Sequence, residues 1–341
     1  MANYYNPPFE NQNSEEINRR NFYYQTKAKQ EKKEIRKLGN ILGGSLFMFV
    51  ACQYIVVFIL QFFGLADKMN SSVIFQNSFL ILGVELFSVV LPFGLVALTN
   101  KKKYSTDIIP TKKITAKDLT LWVGFGMFCC IIANYAVNIM IVLFKAFGYQ
   151  LKQADVLKPD SVFACIIVIL GTAVVPAICE EFAMRCCSLG LLRKYGKAFG
   201  VVAVSIIFGL LHGNVIQFVF AGLVGLVLGY VTIKTDSVVP AIIIHGLNNG
   251  MSAFSSVMDY AVGGKANEKT TVALFVFWVI VGLVCLIILA CKKQFNKEEK
   301  RLREPFENSL GTKLASFFFV PGMIIPFVYL IFSTITTIEK I

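Results

Sequence analysis

Glu180 and Glu181 stand side by side in the apolar stretch Ala164–Leu192, and Arg185 follows Glu181 by four residues. A carboxylate at bilayer depth costs ~2.5–3.5 kcal/mol, so an adjacent pair there calls for a use. The chain has only two histidines, His212 and His245; both lie in apolar segments, and Asn249 follows His245 by four residues. Carboxylate, imidazole and amide are the groups needed to activate a water and to hold the oxyanion of an attacked carbonyl. Glu181 and Arg185, at i and i+4, can pair along one helix face. Glu180 is turned ~100° from its neighbour and escapes that pair, which leaves its carboxylate for a cavity. A carboxylate in a low-dielectric setting is a stronger base than one in water. Glu180, oriented by His212, could take a proton from water while His245 and Asn249 stabilise the oxyanion. Phe208, four residues before His212, can pack its ring against the imidazole. Pro176, four before Glu180, removes a backbone hydrogen bond and is expected to kink its helix.

These groups need elements to bring them together, and the composition says where. Of 341 residues, 56% are hydrophobic and 16% charged, too few charges to cover a soluble domain. The expected fold class is an all-α polytopic membrane protein, with about eight to nine transmembrane helices enclosing a polar cavity. Nine apolar runs carry it: Ile41–Leu65, Val73–Leu98, Leu119–Phe147, Ser161–Leu192, Ala198–Leu211, Val215–Ile233, Val238–Met258, Val272–Cys291 and Leu314–Ile338. The fifth is short, so the turn His212-Gly213-Asn214 should lie inside the membrane, where non-helical backbone needs a wet cavity or protein around it. Pro321 and Pro326 make the last run a candidate for a kinked or re-entrant helix. If Arg193, Lys197 and Lys234 mark one surface, Glu180, His212 and His245 lie ~20, ~22 and ~16 Å beneath it, about one level.

The organisation follows. Residues 1–40 form a basic tail, disordered first and helical nearer the membrane. Residues 41–158 are N-terminal transmembrane helices, 159–258 the core with the site, and 259–341 C-terminal helices with a basic loop, Lys292–Arg303. No apolar core of a cleavable signal lies near the start, so the first run would act as an uncleaved anchor. The net charge of +12 sits in the segments between apolar runs, which indicates the positive-inside effect rather than nucleic acid. With the N-terminus cytoplasmic, 26 of the 33 basic residues fall on the inner side. The expected location is the cell membrane. The nine cysteines should be free thiols, packing as small hydrophobes. Gly225 and Gly229 form a GxxxG pair for close helix packing. Glu85, a lone carboxylate in the second run, either lines the cavity or bonds to a neighbouring helix. Asn134 and Tyr135 read as packing and local hydrogen bonding.

The segments EEFAMR (Glu180–Arg185), FGLLH (Phe208–His212) and HGLNN (His245–Asn249) resemble the CAAX protease and bacteriocin-processing family of intramembrane glutamic endopeptidases. That family's patterns EExxxR, FxxxH and Hxxx(N/D) occur here in order, over roughly Ser161–Ser255. The resemblance implies Glu180 as the water-activating base, His212 as its partner, and His245 with Asn249 as the oxyanion site. Glu181 and Arg185 would be structural support. The partners implied are a peptide or protein substrate, lipidated or not, and the bilayer; no cofactor is expected. The nearest alternative is a zinc-dependent membrane metallopeptidase, since two histidines and a glutamate could hold zinc. Against it, HExxH is absent and an amide is a poor zinc ligand. A proton-relay transporter would show internal repeats or paired broken helices, and the sequence has neither. A non-catalytic membrane immunity or partner protein would keep its effect after Glu180→Gln.

Overall fold

The computed structural model describes residues 14–104, 110–152, 158–296 and 308–341. The tail residues expected to be disordered, and most of the basic loop Lys292–Arg303, lie outside the described residues. Helix α1, Ser14–Phe62, is a single helix of 49 residues. That is roughly 73 Å against ~30 Å of hydrocarbon, so its basic first part projects beyond the membrane. Ile35, Leu38, Leu42, Leu46 and Phe49, spaced by three or four, form its buried stripe.

The chain continues through α2 (Val73–Asn100), α3 (Ala116–Ala146) and α4 (Val162–Tyr195). The short α5 (Lys197–Leu210) precedes α6 (Val215–Thr235) and α7 (Val239–Val262). After α8 (Gly264–Cys291) come α9 (Leu310–Phe318) and α10 (Pro321–Ile335). Among the described residues, six helices are long and apolar enough to cross a membrane, or seven if α9 and α10 count as one bent span. The nine apolar runs are thus all helical, but α5 has only 14 residues, and α7 is not among the six. Helix α7 is long enough, yet it carries His245, Asn248, Asn249, Ser252 and Ser255.

The last run, Leu314–Ile338, is bent, as Pro321 and Pro326 suggest. It breaks at Phe319-Val320, and the two pieces meet at 88°. Pro321 cannot donate to the preceding turn, and it holds Val320 in extended backbone at φ −127°, ψ 150°. The bend lets the pair wrap α1. A Cβ on Gly43 would run into the backbone of Gly322, so this crossing requires glycine. Asn40 Oδ1 accepts from the Gly322 N–H at 2.9 Å in the same contact.

Side chains that a soluble protein would bury point outward. On α8, Val276, Ile280, Val284 and Ile287 form one stripe, each exposed by half or more. Such a stripe is stable against lipid tails, and the chain is a multi-pass membrane protein. Three interior clusters hold the helices together, the smallest joining Val73 of α2 and Ala164, Val168 and Ala173 of α4 to Ala253 of α7. The largest is built chiefly by α1, the second half of α4, α5, α9 and α10, and the second by α3, α6, α7 and α8.

The connections gather at two ends of the bundle. At one end Arg193 pairs with Asp236 at 2.8 Å, Lys292 with Asp118 at 3.3 Å, and Lys313 with Glu31 at 2.9 Å. At the other, strand β1 (Tyr149–Leu151) pairs antiparallel with β2 (Ile338–Lys340), and Lys158 meets Asp259 at 3.1 Å. All nine cysteines are free; Cys186 and Cys187 are buried, and Cys291 is exposed.

Candidate active site

Helix α4 gives its second half to the largest cluster and is irregular where the site lies. It has π-helical turns at Leu170–Val174 and Phe182–Leu189, with an α-helical piece, Val175–Glu181, between them. Turns of this kind recur at functional sites because the extra residue frees backbone groups and re-aims side chains. Pro176 sits at the start of the middle piece and has no N–H for the carbonyl four residues back, Thr172. Asn249 Nδ2, from α7, donates to that carbonyl oxygen at 3.2 Å. The expected kink is therefore a π turn whose released carbonyl anchors a site residue.

The two glutamates differ in surroundings. Glu181 is wholly buried, 3.0 Å from Arg185 Nη1, while the Glu180 side chain keeps 17% exposure. His245 connects them: its Nδ1–H donates to Glu181 Oε1 at 2.9 Å, and its Nε2 lies 3.8 Å from Glu180 Oε2. Because the two ring nitrogens point to opposite sides, one imidazole reaches both carboxylates although these are rotated about the helix. His212 was expected beside Glu180; the imidazole in ion-pair range of Glu180 is that of His245. His212 Nδ1–H donates instead to the Phe208 carbonyl at 2.8 Å, which leaves Nε2 as the nitrogen with a lone pair. The turn that carries His212 closes through Gly213, whose φ of 68° suits glycine. Asn214 caps the next helix by accepting from the Gln217 N–H at 2.8 Å.

Phe208 is the hub of the packing. Its ring meets the edge of His212 with centroids 5.0 Å apart and that of His245 at 5.9 Å. The Arg185 guanidinium lies over the same ring at 4.9 Å. Arg185 also donates to the Gly225 carbonyl at 3.4 Å. Gly225 packs on Ser205, where an added Cβ would come within 3.2 Å, so the glycine pair brings α6 close against α5.

These elements enclose a cavity of about 620 Å³. Glu180, His212, His245, Asn248 and Asn249 line its polar part, and Met127, Ile131, Phe220, Val224 and Phe275 its apolar part. A mixed lining of this size suits an extended peptide with apolar side chains or a lipid tail. Asn134, read from sequence as a packing residue, also lines it, while Tyr135 is exposed on the outside of α3. Sequence reasoning missed Asn248, whose Nδ2 donates to Asn249 Oδ1 at 3.2 Å, and the Thr172 carbonyl. Pro176 was the available signal for the latter. Glu85 is buried and lies within hydrogen-bonding reach of Glu180. Among the described residues, no three His, Cys, Asp or Glu side chains are arranged to hold a metal ion.

Residues 162–251 match the family model described as type II CAAX prenyl endopeptidase Rce1-like. The match spans α4 to the middle of α7, and so includes Glu180, Glu181, Arg185, Phe208, His212, His245 and Asn249. No curated protein and no solved structure matches the chain.

Proposed function

We propose that this chain, whose residues 162–251 match the type II CAAX prenyl endopeptidase Rce1-like model, works as a metal-independent glutamic peptidase of the membrane. The substrate would be a membrane-associated peptide or protein, of the CAAX type or a leader peptide. The observation that carries this reading is the cavity in which Glu180 shares one wall with two imidazoles and two amides. Glu180 takes the proton of a cavity water, and the hydroxide formed attacks the peptide carbonyl. His212, with Nδ1–H tied to a backbone carbonyl, offers Nε2 to the same water. His245 in its imidazolium form gives Nδ1–H to Glu181 and turns Nε2–H toward the developing oxyanion. The Asn249 NH₂ spends one hydrogen on Thr172 and has a second for that oxyanion. Glu181 and Arg185 keep His245 in register. Collapse of the intermediate returns the proton from Glu180 to the leaving amine.

The N-terminus lies on the cytoplasmic face of a cell membrane in this reading. Its support is the 26-to-7 division of basic residues, with Arg193, Lys234, Lys292 and Lys313 at one end of the bundle and Lys152, Lys158 and Lys340 at the other. A comparison of membrane and secreted peptides from cells carrying the wild-type or the Glu180→Gln protein tests the assignment. Peptides shortened only in the wild type are expected; identical profiles would oppose a peptidase and favour an immunity or partner role.

A further inference from the structure

Helix α2 brings a third carboxyl to the site. Glu85 stands on a π-helical turn, Leu80–Val90, that packs on the middle piece of α4. It is buried, and its carboxyl lies within hydrogen-bonding reach of the Glu180 carboxyl. Yet Glu85 Oε2 and Glu180 Oε2 are both buried oxygens without a hydrogen-bond donor among the described residues. An ionised carboxylate only accepts hydrogen bonds, so two of them facing each other leave both oxygens unpaired and add charge repulsion in a dry setting. One proton between them removes both costs, as it does wherever two carboxyls share a buried site.

The surroundings say which carboxyl carries it. Glu180 has the His245 Nε2 at 3.8 Å and lies near the Arg185 guanidinium. Glu85 faces Glu180 and the Cys179 thiol of α4. The part of α1 that packs on this turn, around Val56 and Gly83, carries no charged side chain from Leu46 to Leu60. We propose that Glu85 holds a proton at neutral pH and donates it in a hydrogen bond to Glu180, so that Glu85 positions the carboxylate that activates water. Glu85 is then a positioning residue; it touches Glu180, not the substrate. Its value for catalysis rests on the peptidase reading, whereas the proton itself does not.

Two measurements separate these. Infrared spectra of the whole protein in lipid nanodiscs at pH 7 should contain the C=O stretch of a protonated carboxylic acid, because exposed Asp and Glu are ionised there. Glu85→Gln should lose that band, and Glu180→Gln should keep it at a shifted frequency. Absence of the band in the wild type, or its persistence in Glu85→Gln, would overturn the proposal whatever the protein cleaves. The second measurement is cleavage of an internally quenched farnesylated CAAX peptide. Glu85→Leu should lose about tenfold or more in kcat with little change in KM, and Glu85→Gln, whose amide N–H can still donate, should recover most of that loss. Full activity in Glu85→Leu, or a Glu85→Gln protein as inactive as Glu180→Gln, would show that the donated hydrogen bond has no such role. If the wild type leaves this peptide uncut while the band behaves as described, the proton stands and the CAAX substrate class is what fails.

Discussion

Glu180 and Glu181 carry the same functional group one residue apart, and their neighbours separate their tasks. Glu181 is enclosed by Arg185 and His245, with no path to the cavity; Glu180 faces it. Replacement of Glu180 by Gln should lower cleavage by about 10³-fold or more at unchanged membrane insertion. His212→Ala and His245→Ala should be similarly inactive, and Asn249→Ala should cost about 10²-fold in kcat, the scale of one oxyanion donor. Arg185→Ala acts differently. It leaves Glu181 buried without its guanidinium, a loss of roughly 3–5 kcal/mol, which thermal unfolding in detergent would register as a lower midpoint. A lowered kcat with unchanged unfolding would move Arg185 from support into the chemistry. The residue types and the Glu181–Arg185 pair were legible because rare polar groups in apolar runs are conspicuous and an i, i+4 spacing fixes a face. The partners across helices were not. Nothing in the spacing of His245 says that its ring would bridge both glutamates, and nothing around Glu85 says that it would meet Glu180.

At the scale of elements, helix positions followed from apolar runs and their departures from polar detail inside them. The break at Phe319-Val320 has its cause in Pro321, one of the two prolines that mark the run as kinked or re-entrant. The three π turns had no sequence signal beyond Pro176 and the polar residues near them. They matter because a rotation assumed at ~100° per residue fails across a π turn. The crossing of α1 with the bent pair rests on Gly43 against Gly322. Gly43→Val should destabilise the protein by about 1–3 kcal/mol, the usual cost of overfilling a tight contact, with the loss seen as aggregation in size-exclusion chromatography. Gly44, one residue on, has open space beside it and provides the control: Gly44→Val should elute as the wild type does.

Over the whole molecule, the bundle sorts its charged connections to two ends and its site to the level between them. Cys291 is the exposed cysteine, one residue before Lys292 at the end assigned to the cytoplasm. A variant retaining only Cys291 should resist a membrane-impermeant maleimide in intact cells and react after permeabilisation; reaction in intact cells would invert the topology. The choice between glutamate and zinc as the activator of water also belongs to the whole enzyme. The most direct test is the rate at which the purified protein in nanodiscs cuts a quenched farnesylated CAAX peptide in excess EDTA, beside Glu180→Gln from the same preparation. A glutamate-activated water predicts a chelator-resistant wild-type rate that Glu180→Gln loses by about 10³-fold. Equal rates in the two proteins, or a wild-type rate that EDTA abolishes and zinc restores, would contradict it.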